Sequence, residues 1–306
     1  MEQRYEDGGS AGGRAEDFAQ IRRAARSTLA ARHAARPETI GALVDALSGL
    51  FSPHDAEPWD RTGLLVGDAA ERLEGVACAL DPTIDALVRA EELGANVLLT
   101  HHPAFLDPPA FIGPRASGAS VAGKVVYEAA KRGIALANYH TALDVSAAAQ
   151  TMLPGLLSLD RVGVLDPLDR DARLGYGQVC RISEGSLTLE ALALRCTAVF
   201  GRAPRVWGDP GMPVSSAVTW TGSAGPAPDL CLKRGIDVLV CGEVKYHTAL
   251  DAASAGLALI ELGHDVSELP FSAVLAEACA GVGVPRASIT CLAMQGGWFY
   301  PESRRA

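Results

Sequence analysis

Short apolar runs recur along this chain, and three of them stop abruptly at histidine. Residues 95–100 (Ala-Asn-Val-Leu-Leu-Thr) run into His101-His102-Pro103, residues 133–139 into His140-x-x-x-Asp144, and residues 256–263 into His264-x-x-x-Glu268. Runs of this length read as buried strands, and open α/β sheets place their functional side chains at the carboxyl ends of strands. Ile40, Leu43, Val44, Leu47 and Leu50 recur at helical spacing after Pro37, predicting an amphipathic helix with Pro37 in its first turn. Strands are expected at 59–67 and 76–80. Asp81-Pro82 reads as a helix start, with Asp81 as N-cap and Pro82 at the first helical position, and Gly94 ends that helix. Another helix is predicted near 121–131.

Further along, the pattern predicts a strand at 177–182, a helix at 187–200 ended by Gly201, and strands at 205–207 and 216–220. A helix then leads from Gly225 to Gly235, a strand occupies 236–241, and a helix near 248–255 precedes the strand into His264. The stretch 93–101 aligns with 234–242, and the next strand in each half ends in His-x-x-x-acid. Repetition of a whole helix-strand-helix-strand module points to duplication. The expected fold class is therefore α/β: two pseudo-repeated α/β lobes, with the metal site between them at strand carboxyl ends. We expect a flexible N-terminal extension at 1–36, rich in Gly, Ala and Arg, a first lobe at 37–165 and a second at 166–306.

Composition narrows the function classes. The 306 residues are 48% hydrophobic, enough for a large core, and the formal net charge of -9 opposes wrapping by nucleic acid, which relies on Lys and Arg. Seven widely spread cysteines without a CxxC pair suggest reduced thiols, with neither a disulfide framework nor a thiolate zinc site. No run approaches the roughly 20 apolar residues of a membrane span, and no apolar signal core opens the chain. A cytoplasmic location is the default expectation.

The candidate metal ligands are His101, His102, Asp144, His264 and Glu268. Imidazole with carboxylate suits Zn, Mn, Fe or Co, and five such donors hold two ions if one carboxylate bridges. Two ions about 3.5–4 Å apart would make water nucleophilic near neutral pH and clamp an oxyanion, which is hydrolytic machinery. A lone His-His pair also reads as core or capping histidines; recurrence at three strand ends favours metal. His140 is either a ligand or a group that orients Asp144. Glu243, Lys245, Tyr246 and His247 read either as a source of a general acid and a phosphate contact or as a polar loop capping the next helix. The glycines of Trp220-Thr221-Gly222-Ser223-Ala224-Gly225 read more readily as a plain turn than as a phosphate cradle.

Through Asp60 to Gly67, Thr100-His101-His102-Pro103, His140-Thr141-Ala142-Leu143-Asp144, Gly242-Glu243-Val244-Lys245-Tyr246-His247 and Gly263-His264-Asp265-Val266-Ser267-Glu268, the chain resembles the Ngg-interacting-factor-three-like family, the GTP cyclohydrolase I type 2 homologues. These stretches span nearly all of 37–300 in the family's order. The resemblance implies a two-lobed α/β fold, a dinuclear metal centre on His101, His102, Asp144, His264 and Glu268, and a toroidal homohexamer. It implies a small-molecule substrate, GTP, with His140 or His247 as the proton-handling catalytic residue. Arg61-Thr62 departs from the small or amide residue usual there. The alternative function is non-enzymatic metal storage, delivery or sensing through partners.

Overall fold

Strands four residues long with every residue buried must be covered on both faces; three such strands form the centre of one sheet of this protein and a fourth lies inside the other. The computed structural model describes residues 36–115, 121–183, 187–292 and 298; nearly all of the expected 1–36 extension lies outside the described residues. The described residues open with α1 (Ile40–Ser48), β1 (Gly63–Val66), β2 (Val76–Ala79), α2 (Ile84–Glu92), β3 (Val97–Thr100), α3 (Val121–Arg132), β4 (Ala135–Asn138) and the one-turn α4 (Thr141–Asp144). Next come α5 (Ala149–Leu156) and the hairpin of β5 (Asp160–Leu168) and β6 (Asp171–Arg181). The plan then repeats as α6 (Leu189–Phe200), β7 (Arg205–Trp207), β8 (Ser216–Ser223), α7 (Ala227–Arg234), β9 (Val238–Glu243), α8 (Tyr246–Ser254), β10 (Ala258–Glu261) and α9 (His264–Glu268). Last are α10 (Pro270–Gly281) and β11 (Ile289–Cys291).

The sheet orders are β1-β4-β3-β2-β11 and β5-β6-β8-β9-β10-β7. Within them, β1-β4-β3-β2 corresponds strand for strand to β7-β10-β9-β8. In each set the first strand runs antiparallel to its neighbour and the other pairs are parallel. The expected duplication is thus visible in topology. Each sheet is packed on both faces: Val97, Leu99 and Ala137 meet α1 and α10, while Leu98 and Leu136 meet α2 and α3. In the second sheet Val238, Val240 and Ile260 meet α6, and Leu239 and Leu259 meet α7 and α8.

Several boundaries differ from expectation for identifiable reasons. Thr39 and Thr83 cap α1 and α2 by accepting from the backbone N–H groups of Ala42 and Ala86, so Pro37 and Asp81-Pro82 precede their helices. Gly201 ends α6 in the left-handed region as expected. β5 runs from Asp160 to Leu168 as one strand of the second sheet, and α10 and β11 return to the first, where β11 pairs parallel with β2. Phe271, Val274, Leu275 and Cys279 of α10 lie in the first sheet's core. None of the seven cysteines is in a disulfide, and six are buried. Among the described residues, no helix is long and apolar enough to cross a membrane.

Candidate metal centre

Parallel strands in register deliver their next residues to one edge, and β3 and β4 deliver His101, His102 and His140 there. β10 delivers His264 to the matching edge of the second sheet. The i, i+4 spacing then matters, because one helical turn puts both residues on one face. Asp144 sits at the end of α4, and in α9 the His264 Nε2 atom lies 3.0 Å from Glu268 Oε2.

Glu268 is the common point. Its Oε2 lies 2.9 Å from His102 Nε2, and its Oε1 lies 3.7 Å from His101 Nε2. His101 Nε2 is also 3.7 Å from Asp144 Oδ1, whose position is fixed by a 3.2 Å hydrogen bond from the Thr221 hydroxyl. Two donor triads result: His101, Asp144 and Glu268; and His102, His264 and Glu268. His140 joins a third group with His101 and His102. All five sequence-predicted ligands therefore converge, with Glu268 shared.

The donor set fits metal ions. His101 Nε2 is buried without a hydrogen-bond partner, 3.7 Å from both Asp144 Oδ1 and Glu268 Oε1, so one triad holds a donor atom that nothing in the protein satisfies. Buried polar atoms left in that state are rare and mark a ligand-binding or strained site. Burial opposes charge on His102, but the carboxylates of Asp81 and Glu268 outweigh it and lift the imidazole to about 10. Contact with Glu268, against burial and aided by Glu243, lifts His264 to about 9. Burial favours neutral Glu268, yet His101, His102 and His264 hold its carboxyl well below the usual range, whereas burial pushes Asp144 up. Such a cluster takes up divalent ions in exchange for protons.

Other candidates fall elsewhere. His247 is exposed on the first turn of α8 with its ring against Tyr246, and Lys245 is exposed; neither joins a donor group. Of that cluster only Glu243 reaches the site, at 2.9 Å from His264 Nδ1. The Gly222 turn does not cradle phosphate: its N–H donates to Ser267 Oγ, and a side chain there would strike Glu268 Oε1. Three contributors escape the sequence pattern. Asp81 holds His102 Nδ1 at 2.7 Å, Thr221 holds Asp144, and Asp60 holds His140 Nδ1 at 3.1 Å. Burial raises the Asp60 carboxyl, but hydrogen bonds from His140 and Thr141 outweigh it and bring it to about 2.

A cleft of about 460 Å³ opens on the His102 and His264 side, lined also by Asp81, Arg202, Glu243 and Trp298. The Arg202 guanidinium binds Asp265 at 2.7 Å and lies 4.7 Å from the Trp298 ring centre.

Fold and site together define a duplicated α/β protein with a buried His/carboxylate cluster able to bind metal. Residues 38–289 match the sequence model of Duf34/NIF3 (NGG1p interacting factor 3), and the chain belongs to that family. The GTP cyclohydrolase 1 type 2 homolog of Streptomyces coelicolor is 30% identical over 239 residues, covering 76% of this chain and 82% of that protein. The protein of the same name from Clostridium perfringens is 27% identical over 229 residues, covering 74% and 86%. Among solved structures, the Bacillus cereus protein related to NIF3 shares the fold with a TM-score of 0.78 at 19% identity, over 87% of this chain and 100% of that one.

Proposed function

We propose that this chain is a metal-dependent hydrolase in which two divalent ions share Glu268, acting on a nucleotide; GTP is the substrate suggested by the names of its relatives. The observation carrying this reading is one buried carboxylate set between His101 with Asp144 and His102 with His264. Zn, Mn, Fe or Co bound there would supply Lewis acidity and water activation near neutral pH. The protein's own contribution is orientation and proton transfer. Thr221 fixes Asp144, and Asp60 fixes His140 through Nδ1, leaving Nε2 as the atom that gives or takes a proton beside His101 and His102. The homohexamer implied by the family resemblance belongs to the same reading, and light scattering in solution checks it.

One observation favours metal handling instead. Among the described residues, the cleft carries the carboxylates of Asp81, Glu243 and Asp265 and one guanidinium, that of Arg202, which is committed to Asp265. An acidic wall of this kind attracts cations, and among the described residues it offers a triphosphate no uncommitted side-chain counterion. Turnover decides between the two. Protein reconstituted with Zn, Mn, Fe or Co should open the guanine ring of GTP in at least one metal form, followed by chromatography. Absence of turnover in every form, while bound ions pass readily to an acceptor, would overturn the hydrolase and leave the metal-handling protein.

A further inference from the structure

Two of the three donor histidines touch a second carboxylate on the far side of the ring. His102 Nδ1 lies 2.7 Å from Asp81 Oδ1, and His264 Nδ1 lies 2.9 Å from Glu243 Oε1. Their Nε2 atoms meet at the same oxygen, Glu268 Oε2, at 2.9 and 3.0 Å. His101 is held differently: its Nδ1 faces the Tyr139 carbonyl at 3.1 Å, and its ring is fully enclosed.

An imidazole whose Nδ1–H is held by a carboxylate is fixed in the tautomer that leaves the Nε2 lone pair free, turned to a set angle and made more basic. Asp81 follows β2 in one half and Glu243 ends β9 in the other, so two unrelated strand ends perform the same task for one oxygen of Glu268. Neither carboxylate is a core element. Their side chains are 38% and 55% exposed, where an ion pair adds little to folding stability. Position and chemistry, rather than packing, account for the pairing.

We propose that Asp81 and Glu243 are positioning residues for the metal position formed by His102, His264 and Glu268, acting through the two imidazoles and leaving the position formed by His101, Asp144 and Glu268 unaffected. This rests on the metal-centre reading given above. Neither residue needs to touch an ion.

The test is a titration of Co²⁺ into metal-free protein, followed by calorimetry and by visible absorption, for wild type, Asp81→Ala, Asp81→Asn, Glu243→Ala and Glu243→Gln. Wild type should show two binding events. Each Ala variant should weaken one event by about 10–100-fold and leave the other within about twofold, as loss of an outer hydrogen-bond partner does at a single metal. The amide variants keep an uncharged acceptor for the Nδ1–H and should recover part of the loss. Two unchanged events in the Ala variants, or two equally weakened ones, overturn the positioning role while leaving the metal centre intact. A wild type that takes up no cobalt overturns the metal centre itself and this proposal with it.

Discussion

The two halves carry the same elements in the same order but contribute different chemistry at equivalent positions. Register makes the equivalence explicit: Thr100 ends β3 opposite Ala79, and Cys241 occupies the same place in β9 opposite Trp220. The residues that follow are therefore matched, His101 with Gly242, His102 with Glu243, and two beyond β2 and its counterpart, Asp81 with Gly222. As a sequence pattern His140 and Asp144 match His264 and Glu268, although His264 stands three residues beyond the end of β10 and His140 two beyond the end of β4. Where the first half has His101 and Asp81, the second has glycines, and the space they leave is filled. A side chain at Gly242 would meet Ser267 Oγ, and one at Gly222 would meet Glu268. Duplication supplied two strand edges facing each other. The first half's edge presents His101 and His102 directly, and the glycines of the second let α9 come close enough for Glu268 to join both donor triads.

That asymmetry ranks the two acidic ligands. Glu268 lies within 4 Å of three imidazoles and Asp144 of one, so on the proposed two-ion reading Glu268→Ala should abolish binding of both ions, whereas Asp144→Ala should lose one. Elemental analysis after dialysis against limiting metal reads the stoichiometry. Loss of both ions in Asp144→Ala with one retained in Glu268→Ala would reverse the comparison. Next in size is Gly222→Ala. Its φ of 60 costs an ordinary residue about 1–2 kcal/mol, and the added methyl also collides with Glu268 Oε1. Metal content should fall together with thermal stability. Retention of two ions at wild-type affinity would show that α9 does not depend on that vacancy.

Much of this arrangement is written locally in the chain, and what is not depends on distance. The fully buried strands ending in histidine are legible because apolar runs and strand-end polarity sit side by side in sequence. Asp81 is not, since Asp-Pro carries the signal of a helix start while the capping oxygen belongs to Thr83, two residues on. Nothing near Asp60 announces His140, 80 residues away. The helix α10 escapes periodicity because every residue from Pro270 to Cys279 is buried, which removes the polar face that marks an amphipathic helix. Its return to the first sheet, and the pairing of β11 with β2, are long-range events for which the two-lobe reading of the sequence has no term.

A smaller effect follows from protons at the shared carboxylate. His102 is raised to about 10 and His264 to about 9, so both imidazoles carry protons at pH 7 in the metal-free protein. A metal displaces them, so uptake at pH 7 should release about two protons, and affinity should rise with pH until about 10, less steeply above about 9. Calorimetry in buffers of different ionisation enthalpy counts them. Folding of the metal-free protein has the opposite sign. Because the folded pKa is the higher one, the stabilisation from His102 is complete below about 6.5 and disappears as pH rises through about 10. Affinity independent of pH between 6 and 9 would separate these two histidines from the metal.

The smallest predicted effect concerns a place where the halves have not diverged. Gly94 and Gly235 are equivalent, with φ of 69 and 66, and a methyl added at either meets nothing within 4 Å. The hydrogen bonds match as well: Ala95 N–H donates to the Ala90 carbonyl and Gly94 N–H to Glu91, just as Ile236 donates to Cys231 and Gly235 to Leu232. Both helices thus end in the same left-handed turn, which favours glycine because an L side chain crowds its own backbone there. Gly94→Ala and Gly235→Ala should each cost about 1 kcal/mol and should agree within a few tenths, since neither creates a clash. Denaturant unfolding measures the cost, and metal stoichiometry should be unchanged in both. Unequal costs would mean that the duplicated scaffold has diverged in its energetics even where its geometry coincides, and that the asymmetry of the metal edge extends into the helices behind it.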